Sequence, residues 1–319
     1  MKAVNFSRHA LSISAVAAFL AGCGGSGNPS LFAPTAQRLD GASWIAPNAA
    51  SQDLLYTTNV GYVSVYSYPQ GKLEGTLTGF GDASGACTDK IGDVFITDYL
   101  GSITEYAHGG RLPKKVLRSP HGSPLGCSVD ATTGNLAVAA TSYNNSAVEV
   151  YAHAHGPPKS YKDAFFKSYY YCGYDDKGDL FVDGITSGGT FAFAELPSGG
   201  STLQTVTLNQ NIGWPDQVQW DGKHITIGDQ TAPVIYAFTI KGSQGIRVGT
   251  TRLSHATYLH QSWIEGQTLI APVDYYKNRQ RHTEIVFYKY PAGGKPIEVI
   301  SHSEMDGPNS AAVSLAPVR

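Results

Sequence analysis

Four aspartates follow apolar runs at related positions along the chain, and their carboxylates are suited to holding a hard cation. They are Asp98, Asp183, Asp229 and Asp274, each predicted to end the second strand of a repeating unit. A ring of such carboxylates suits Ca²⁺, which prefers oxygen ligands. The same short side chains also accept hydrogen bonds from backbone N–H groups of their own turns. The sequence therefore predicts either a metal site, with Ca²⁺ as the one cofactor indicated, or four turn-forming aspartates.

A second set of residues combines flat rings with polar edges and falls in predicted loops. Its members are His121, Tyr169, Tyr170, Trp214, Tyr258 and His260. Aromatic faces beside polar groups suit sugar rings or flat organic ligands, so this is the predicted ligand-binding set. Trp214 is the strongest candidate because Gly213 and Pro215 place it in a turn. The alternative is that part of the set fills the spaces between structural units.

Motifs that would carry catalysis are missing from the sequence. It contains no Gly-x-Ser-x-Gly, no His-Glu-x-x-His and no P-loop, which are the patterns that position a nucleophile, a catalytic zinc or a nucleotide phosphate. We therefore predict no catalytic residue and favour a role other than catalysis.

A turn recurs six times after a Tyr- or Phe-rich segment, at a mean spacing of about 45 residues, which is in the range of propeller blades. The last glycines of the six copies are Gly71, Gly110, Gly156, Gly200, Gly242 and Gly294. In phase with them come a small-residue strand ending in Asp, a Gly turn, an apolar strand and an alternating strand. Four short antiparallel strands per unit predict an all-β six-bladed β-propeller over residues 41–319.

The pattern of a small strand ending in Asp, a Gly-Asp or Gly-Asn turn and an apolar strand, as in Gly92 to Asp98 and Gly178 to Asp183, resembles NHL-repeat and SMP-30-like propellers. The resemblance covers about residues 50–317 and implies the fold. SMP-30-like lactonases carry a Glu, Asn and Asp metal set on inner strands, and no matching early Glu is found here. The four strand-end aspartates, Asp98, Asp183, Asp229 and Asp274, nevertheless make a metal-dependent hydrolase or lactonase with its site in the central channel the alternative function.

Closure of the ring has two candidate segments. Leu54 to Thr58 matches a second strand, so the chain enters mid-blade and the innermost strand must come from elsewhere. Ala311 to Leu315 is the predicted donor, because its small and apolar residues alternate as in the other inner strands. Ser43 to Ala46 is the alternative.

The N-terminus has the features of a secretion signal. Lys2 and Arg8 precede an apolar run from Ala10 to Leu20, which is too short to cross a bilayer as a helix, and Leu20-Ala21-Gly22-Cys23 follows. This string resembles the cleavage site of bacterial lipoproteins, which implies acylation at Cys23. We expect a signal peptide at 1–22, a lipidated flexible tether at 23–40 and sorting to the outer membrane, on its periplasmic or surface face.

Charge restricts the partners. The chain has 23 Lys and Arg against 25 Asp and Glu, and loss of Lys2 and Arg8 leaves 21 basic residues, about −4 overall. No basic surplus is available to neutralise phosphates, so we expect no nucleic-acid partner. Membrane contact is expected through the lipid anchor alone, and the propeller is expected to be monomeric.

Three thiols remain after Cys23, and their spacing matches no zinc site. Cys127 and Cys172 precede the Asp of their strands by three residues, whereas Cys87 precedes its Asp by two and is expected to face the other way. We predict three buried free thiols, with Cys127 to Cys172 as the only credible bridge.

Taken together, these features of the sequence predict a lipid-anchored, non-enzymatic propeller that binds an envelope protein, peptide or glycan.

Overall fold

Six β-sheets form the structure, a computed structural model that describes residues 42–301 and 307–317. The predicted signal peptide, Cys23 and the tether to residue 40 lie outside these residues. Each sheet is a blade whose strands lie in chain order from the axis outwards, except in blade 1, where the chain ends meet, and in blade 5, where the two-residue strand that comes first in the chain lies outermost. The protein is therefore an all-β six-bladed β-propeller, as predicted.

The first three blades contain the N-terminal half of the chain and the C-terminal strand. Blade 1 consists of β1 (Trp44–Ile45), β2 (Leu54–Asn59), β3 (Tyr62–Ser67), β4 (Leu73–Thr78) and a strand from the C-terminus. Blade 2 consists of β5 (Ala83–Thr88), β6 (Val94–Asp98), β7 (Ser102–Tyr106) and β8 (Pro113–Arg118). Blade 3 consists of β9 (Ser123–Val129), β10 (Leu136–Thr141), β11 (Ala147–Tyr151) and β12 (Lys159–Tyr161). Short 3₁₀ turns lie at Ala49–Ser51 and Ala152–Ala154.

The remaining blades follow the same plan with additions. Blade 4 consists of β13 (Ser168–Tyr174), β14 (Leu180–Ile185), β15 (Phe191–Leu196) and β16 (Gln204–Thr205). Blade 5 consists of β17 (Thr207–Leu208), β18 (Pro215–Trp220), β19 (Ile225–Asp229), β20 (Val234–Lys241) and β21 (Gln244–Arg252). Blade 6 consists of β22 (Tyr258–Leu259), β23 (Trp263–Glu265), β24 (Thr268–Lys277), β25 (Gln280–Lys289) and β26 (Glu298–Ile300). The last strand, β27 (Ser310–Ser314), belongs to blade 1.

The turn between the first and second strands is stabilised by the same Asp hydrogen bonds in different blades. In blade 2, Asp89 Oδ1 accepts hydrogen bonds from the backbone N–H groups of Ile91 and Asp93, and Gly92 supplies the left-handed conformation with φ 88°. Asp175 in blade 4 accepts the equivalent bonds from Lys177 and Asp179. These aspartates therefore form turns, which explains why Asp recurs at the end of the first strand.

The apolar core lies between neighbouring blades. Blades pack face to face, so each interface is filled from the facing sides of two sheets. Between blades 2 and 3, for example, the buried side chains include Phe95, Ile103 and Leu117 on one side and Leu136 and Val138 on the other. Because both faces of every blade are covered in this way, the second strands are mainly apolar and are buried along almost their whole length, as seen in β6 and β10.

The two chain ends close the ring in blade 1. Strand β27 is the innermost strand and pairs antiparallel with β2 from Leu54↔Ser314 to Thr58↔Ser310. Strand β1 pairs with the outer strand β4 through two residues, Trp44 and Ile45. The predicted donor from the C-terminus is confirmed, and the N-terminal alternative contributes an added outer strand.

The thiol prediction is wrong. Cys87 and Cys127 form a disulfide across blades 2 and 3, with their Cα atoms 5.7 Å apart, and Cys172 is free and buried. The two cysteines do face opposite sides of their own sheets. In a ring of stacked blades, however, one side of a blade meets the opposite side of the next, so opposite facing brings them together. Cys172 occupies the place in blade 4 that Cys127 has in blade 3, judged by their partners Val182 and Val138, and the two cannot meet.

We expect the double variant Cys87→Ser, Cys127→Ser to lower the free energy of unfolding by about 2–4 kcal/mol, because the disulfide closes a loop with a sequence separation of 40. Thermal melting should shift down by roughly 4–8 °C, and reductant should have this effect on the parent protein only. The control is Cys172→Ala, which removes no covalent link. Alkylation of all three thiols under denaturing, non-reducing conditions would contradict the disulfide.

None of the helices in the described part of the chain has the length and apolar character needed to span a membrane.

Candidate functional site

The innermost strands carry β-bulges or interruptions at one common level of the ring. In β5, β9, β13 and β18 the pairing with the second strand shifts register, between Tyr169 and Cys172 in blade 4 and between Pro215 and Val218 in blade 5. In blade 6 the strand is interrupted between β22 and β23. Such β-bulges re-aim side chains and are common beside functional sites. The residues at this level therefore form the first candidate site at the axis.

Side-chain amides close the sheet interruptions at this level. Gln261 pairs with the backbone of Ala86 through both its amide nitrogen and its amide oxygen, at 3.1 and 3.4 Å. Gln219 makes the same kind of pair with Ile264, at 2.9 and 2.8 Å. Each amide takes the place of a strand neighbour and so links the innermost strands of different blades.

We define the upper face as the end of the ring with the turns between second and third strands and the loops that enter each innermost strand. The other end, with the turns between first and second strands, is the lower face. All residues of the predicted metal and ligand sets belong to the upper half of the ring or to its loops.

Asp98 and Asp229 occupy equivalent places and serve turns. Each is the last residue of its strand, as predicted. Asp98 accepts hydrogen bonds from the backbone N–H groups of Gly81 and Leu100, at 2.7 and 2.9 Å. Asp229 accepts bonds from Gly213 N–H at 2.8 Å and from the Thr231 side chain at 2.9 Å. Each carboxylate thus ties the loop entering its blade to the turn above its second strand.

Asp183 lies one position earlier than Asp98 in the repeat, so the prediction that it ends its strand is wrong. Strand β14 continues to Ile185, and Asp183 lies opposite the bulge of β13. Its Oδ1 accepts the Tyr171 N–H at 2.8 Å, and the Asp216 N–H also donates to it. Asp183 is 0% exposed and its Oδ2 has no hydrogen-bond partner. Burial raises the pKa of Asp183 well above its ordinary value, with Asp216 adding to the effect.

Asp216 is the second buried acid, and its place is in the bulge of β18. Its carboxylate fills the space beside Gly228, where a Cβ atom would lie 2.3 Å from Asp216 Oδ2. Both of its carboxyl oxygens lack a hydrogen-bond partner, and the side chain is 0% exposed. Burial raises the pKa of Asp216 to about 7, with a lowering contribution from His260 and a raising one from Asp229. Asp183 and Asp216 therefore form a pair of neighbouring buried acids whose pKa values both lie above the ordinary value of Asp.

Asp274 differs from the other predicted metal residues in being charge-paired. It too lies inside its strand, since β24 continues to Lys277. His260 Nε2 is 3.2 Å and Arg281 Nε 3.0 Å from Asp274 Oδ2. Burial acts to raise the pKa of Asp274, but these two neighbours outweigh it and the pKa lies below its ordinary value.

The four predicted metal residues are thus divided among three environments. Within residues 42–301 and 307–317, no three His, Cys, Asp or Glu side chains converge on a position that could hold a metal ion.

Tyr170 and Trp214 meet on the upper face, and Tyr99 lies near enough to Tyr170 to affect its pKa; we call these three residues the axial aromatic surface. The rings of Tyr170 and Trp214 meet edge to face with centroids 5.9 Å apart. Burial raises the pKa of Tyr170, and the nearby Tyr99 and Asp183 raise it further. Tyr99 belongs to blade 2 and Tyr170 to blade 4, which are not neighbours in the ring. Their proximity therefore spans the axis.

The other predicted ligand residues lie apart from this surface. Tyr169 is buried, stacks on Phe166 at 4.6 Å and accepts the Asp163 N–H, so it belongs to the core. His121 contacts Glu149 at 3.2 Å, away from the axis. Tyr258 is 40% exposed on blade 6, and His260 faces Asp274.

Sequence reasoning missed Tyr99 and Asp216. Tyr99 directly follows Asp98 in a turn, so its phase in the repeat was the available signal. Asp216 had none, because its role depends on the bulge and on the glycine at position 228 of the neighbouring strand.

Comparison with known proteins supports the fold and adds no family. No family model matches this chain, and no curated protein is similar to it in sequence. Among solved structures, a chain in the crystal structure of a nidogen/laminin complex is similar with a TM-score of 0.68 at 14% identity, covering 83% of this chain and 100% of that one. A protein of unknown function from Bacteroides caccae is similar with a TM-score of 0.62 at 11% identity, covering 82% and 99%. Likeness at these identities shows the propeller fold alone.

Proposed function

We propose that this protein is a lipid-anchored binding module of the bacterial envelope that holds a partner on its upper face. The observation that carries the proposal is the axial aromatic surface. Tyr and Trp side chains with polar tips are enriched where proteins bind partners, because they contribute large contact area with few rotatable bonds.

Exposed apolar side chains are also found at this end of the ring. Of the seventeen large apolar residues that are exposed in the described part of the chain, seven lie at its upper end: Val60, Tyr99, Leu100, Tyr143, Phe165, Tyr258 and Tyr276. Exposed apolar groups that lie together are typical of an interaction site. The similar chain from the nidogen/laminin structure belongs to a complex of proteins, and we extend protein binding to this chain as part of the proposal.

We expect Trp214→Ala to lose the capture of partners from an envelope extract while melting within a few degrees of the parent. Loss of a central interface Trp typically costs about 2 kcal/mol or more in binding, or roughly thirtyfold in affinity. Trp44→Ala is the matched control, because Trp44 is exposed on the outer strand β1, at the rim. Equal capture by the Trp214→Ala variant and the parent would end the proposal for this face.

Anchoring rests on Cys23, which lies outside the described residues. We expect Cys23→Ser to release the protein into the soluble periplasmic fraction or to leave the signal peptide uncleaved, because the acyl chains that retain it are no longer attached. Membrane fractionation measures this. A variant that is processed and still membrane-bound would contradict the anchor.

The SMP-30-like hydrolase is the second candidate, and one observation favours it. Oxygens of Asp183, Asp216 and Asp274 lack hydrogen-bond partners, and unsatisfied carboxylates are potential ligands for Ca²⁺. Calorimetry with Ca²⁺ separates the two functions. Micromolar binding that Asp183→Ala abolishes would favour the hydrolase, whereas the binding module requires no Ca²⁺ at this position.

A further inference from the structure

Two of the bulges in the innermost strands carry aromatic side chains of the upper face. The bulge of β13 lies between Tyr169 and Cys172 and contains Tyr170, and the bulge of β18 follows Pro215, the residue after Trp214. The side chains of Tyr170 and Trp214 are half-buried, and their rings meet edge to face with centroids 5.9 Å apart. The relative position of the two rings therefore depends on how the two bulges are held.

One carboxylate joins these bulges. Asp183 lies in β14, and its Oδ1 accepts the N–H of Tyr171 at 2.8 Å. The N–H of Asp216, in the bulge of β18, also donates to this carboxylate. Tyr171 is adjacent to Tyr170, and Asp216 comes two residues after Trp214. Asp183 therefore links the backbone that carries one ring to the backbone that carries the other.

The neighbouring blades have no acid at the place of Asp183 in the repeat. In blades 3, 4 and 5, one residue of the second strand lies opposite the bulge, between pairs whose partners are three residues apart on the innermost strand. That residue is Ala139 in blade 3, Asp183 in blade 4 and Gly228 in blade 5. The acceptor therefore belongs to the boundary between blades 4 and 5 and not to the repeat.

Neutral side chains are sufficient to join the innermost strands at other boundaries. Ser84 Oγ donates to Pro124 O at 2.7 Å between blades 2 and 3, and the amide of Gln219 pairs with the backbone of Ile264 between blades 5 and 6. A carboxyl group that is 0% exposed, as in Asp183, is costly to bury. The acid is placed where both of the segments that it joins carry an aromatic ring.

We propose that Asp183 is the positioning residue of the axial aromatic surface: by accepting the two N–H groups, it holds Tyr170 and Trp214 in the arrangement that a partner contacts. This inference rests on the proposed function and names the residue that controls that same site. Side chains that must be ordered during binding weaken association. Groups that fix them beforehand, without touching the partner, therefore strengthen it.

The test compares two substitutions that are close to Asp in shape and differ in the acceptor. Asp183→Asn keeps an oxygen that can accept the two N–H groups, whereas Asp183→Leu leaves both without an acceptor. Asp175→Leu is the matched control. Asp175 lies in the same blade and also accepts two backbone N–H groups, from Lys177 and Asp179 at 2.9 Å each, but on the lower face. A difference between the two Leu variants therefore reports position.

Fluorine NMR of protein labelled with fluorotryptophan follows Trp214 directly. The chain contains four tryptophans, and Trp214→Phe identifies the line of Trp214. Spectra are recorded with EDTA, so that a bound cation cannot cause the differences. We expect Asp183→Leu to shift or broaden the Trp214 line and to leave the line of Trp44, at the rim, in place. Asp183→Asn and Asp175→Leu should keep the Trp214 line of the parent.

Capture from the envelope extract follows the consequence for binding. Asp183→Leu should weaken capture by about tenfold, which is the cost of ordering two side chains on binding, and Asp183→Asn should retain it. An unchanged Trp214 line in Asp183→Leu, or an equal shift in Asp175→Leu, would overturn the proposal. So would a loss of capture in Asp183→Asn as large as in Asp183→Leu, because the acceptor would then not be the cause.

Hydrogen exchange in the parent protein tests the same link without a variant, should Asp183→Leu not fold. The N–H groups of Tyr171 and Asp216 are bonded to Asp183 and should exchange as slowly as the amides of the neighbouring strand ladder. Exchange at the rate of exposed loop amides would overturn the proposal.

Failure of this inference can be told apart from failure of the proposed function. If Trp214→Ala loses capture while Asp183→Leu keeps it, the binding module stands and Asp183 has no part in it. If Trp214→Ala keeps capture, the upper face is not the binding site and this inference falls with it.

Discussion

A chain that stops before Asn309 should lose its cooperative unfolding transition and aggregate. The deletion removes β27, the innermost strand of blade 1, and leaves β2 with an unpaired edge at the axis. It also uncovers the interfaces that Ala311, Ala312 and Val313 fill at 0–1% exposure. Bonds to the next blade are lost as well, including those from Thr88 Oγ1 to Val313 O at 3.0 Å and from Ser314 Oγ to Gly92 O at 2.5 Å.

Two N-terminal truncations are the controls. Removal of residues 24–40 should leave the melting temperature unchanged, because the described propeller lies wholly beyond them. Removal of the chain up to Pro47 deletes β1, which pairs with β4 through only two residues, and should cost far less than loss of β27. Thermal melting of the three truncated chains distinguishes these outcomes. A cooperative transition in the C-terminal deletion close to that of the full chain would mean that β27 is not the closing strand.

Asp216→Asn should stabilise the protein above neutral pH and have little effect near pH 4. In the native state the pKa of Asp216 is about 7, against 3.8 for an unperturbed Asp. Between these values the native state binds more protons than the unfolded chain, so stability falls as pH rises, by about 1.4 kcal/mol per pH unit. Above pH 7 the loss reaches at most about 4 kcal/mol, and an uncharged Asn avoids it.

The measurement is the melting temperature of parent and variant from about pH 4 to 8, with an expected gain of roughly 5 °C for the variant at the upper limit. Asp229→Asn is the matched control from the same blade. Its carboxylate accepts hydrogen bonds from two loops, so its loss should destabilise the protein at neutral pH. Parallel pH profiles for the parent and Asp216→Asn would show that Asp216 ionises as an ordinary surface carboxyl.

The two predictions concern features that differ in how the sequence encodes them. Ring closure by the C-terminal strand was readable, because the missing strand of blade 1 has to come from one of the chain ends and only Ala311 to Leu315 has the alternation of an inner strand. The turn role of Asp98 and Asp229 was one of two readings, since a residue that recurs in every repeat often serves the repeat. The pairing of Asp183 with Asp216 could not be predicted from the sequence, because Asp216 belongs to no repeated pattern.

The amino-acid sequence alone was enough to predict the order of the local elements. It predicts six units of about 45 residues, four short strands in each, turns formed by Gly and Asp, and a C-terminal strand that closes the ring. These follow from periodicity and turn chemistry, which act over a few residues. The tertiary structure alone decided which side chains meet. Asp183 lies five residues after Gly178 whereas Asp98 lies six after Gly92, so its offset can be counted along the chain; its burial opposite the bulge of β13 cannot. The ring brings opposite faces of neighbouring blades together, which joins Cys87 to Cys127. It also brings Tyr99 of blade 2 near Tyr170 of blade 4, because distances near the axis depend on the closed circle and not on any one repeat.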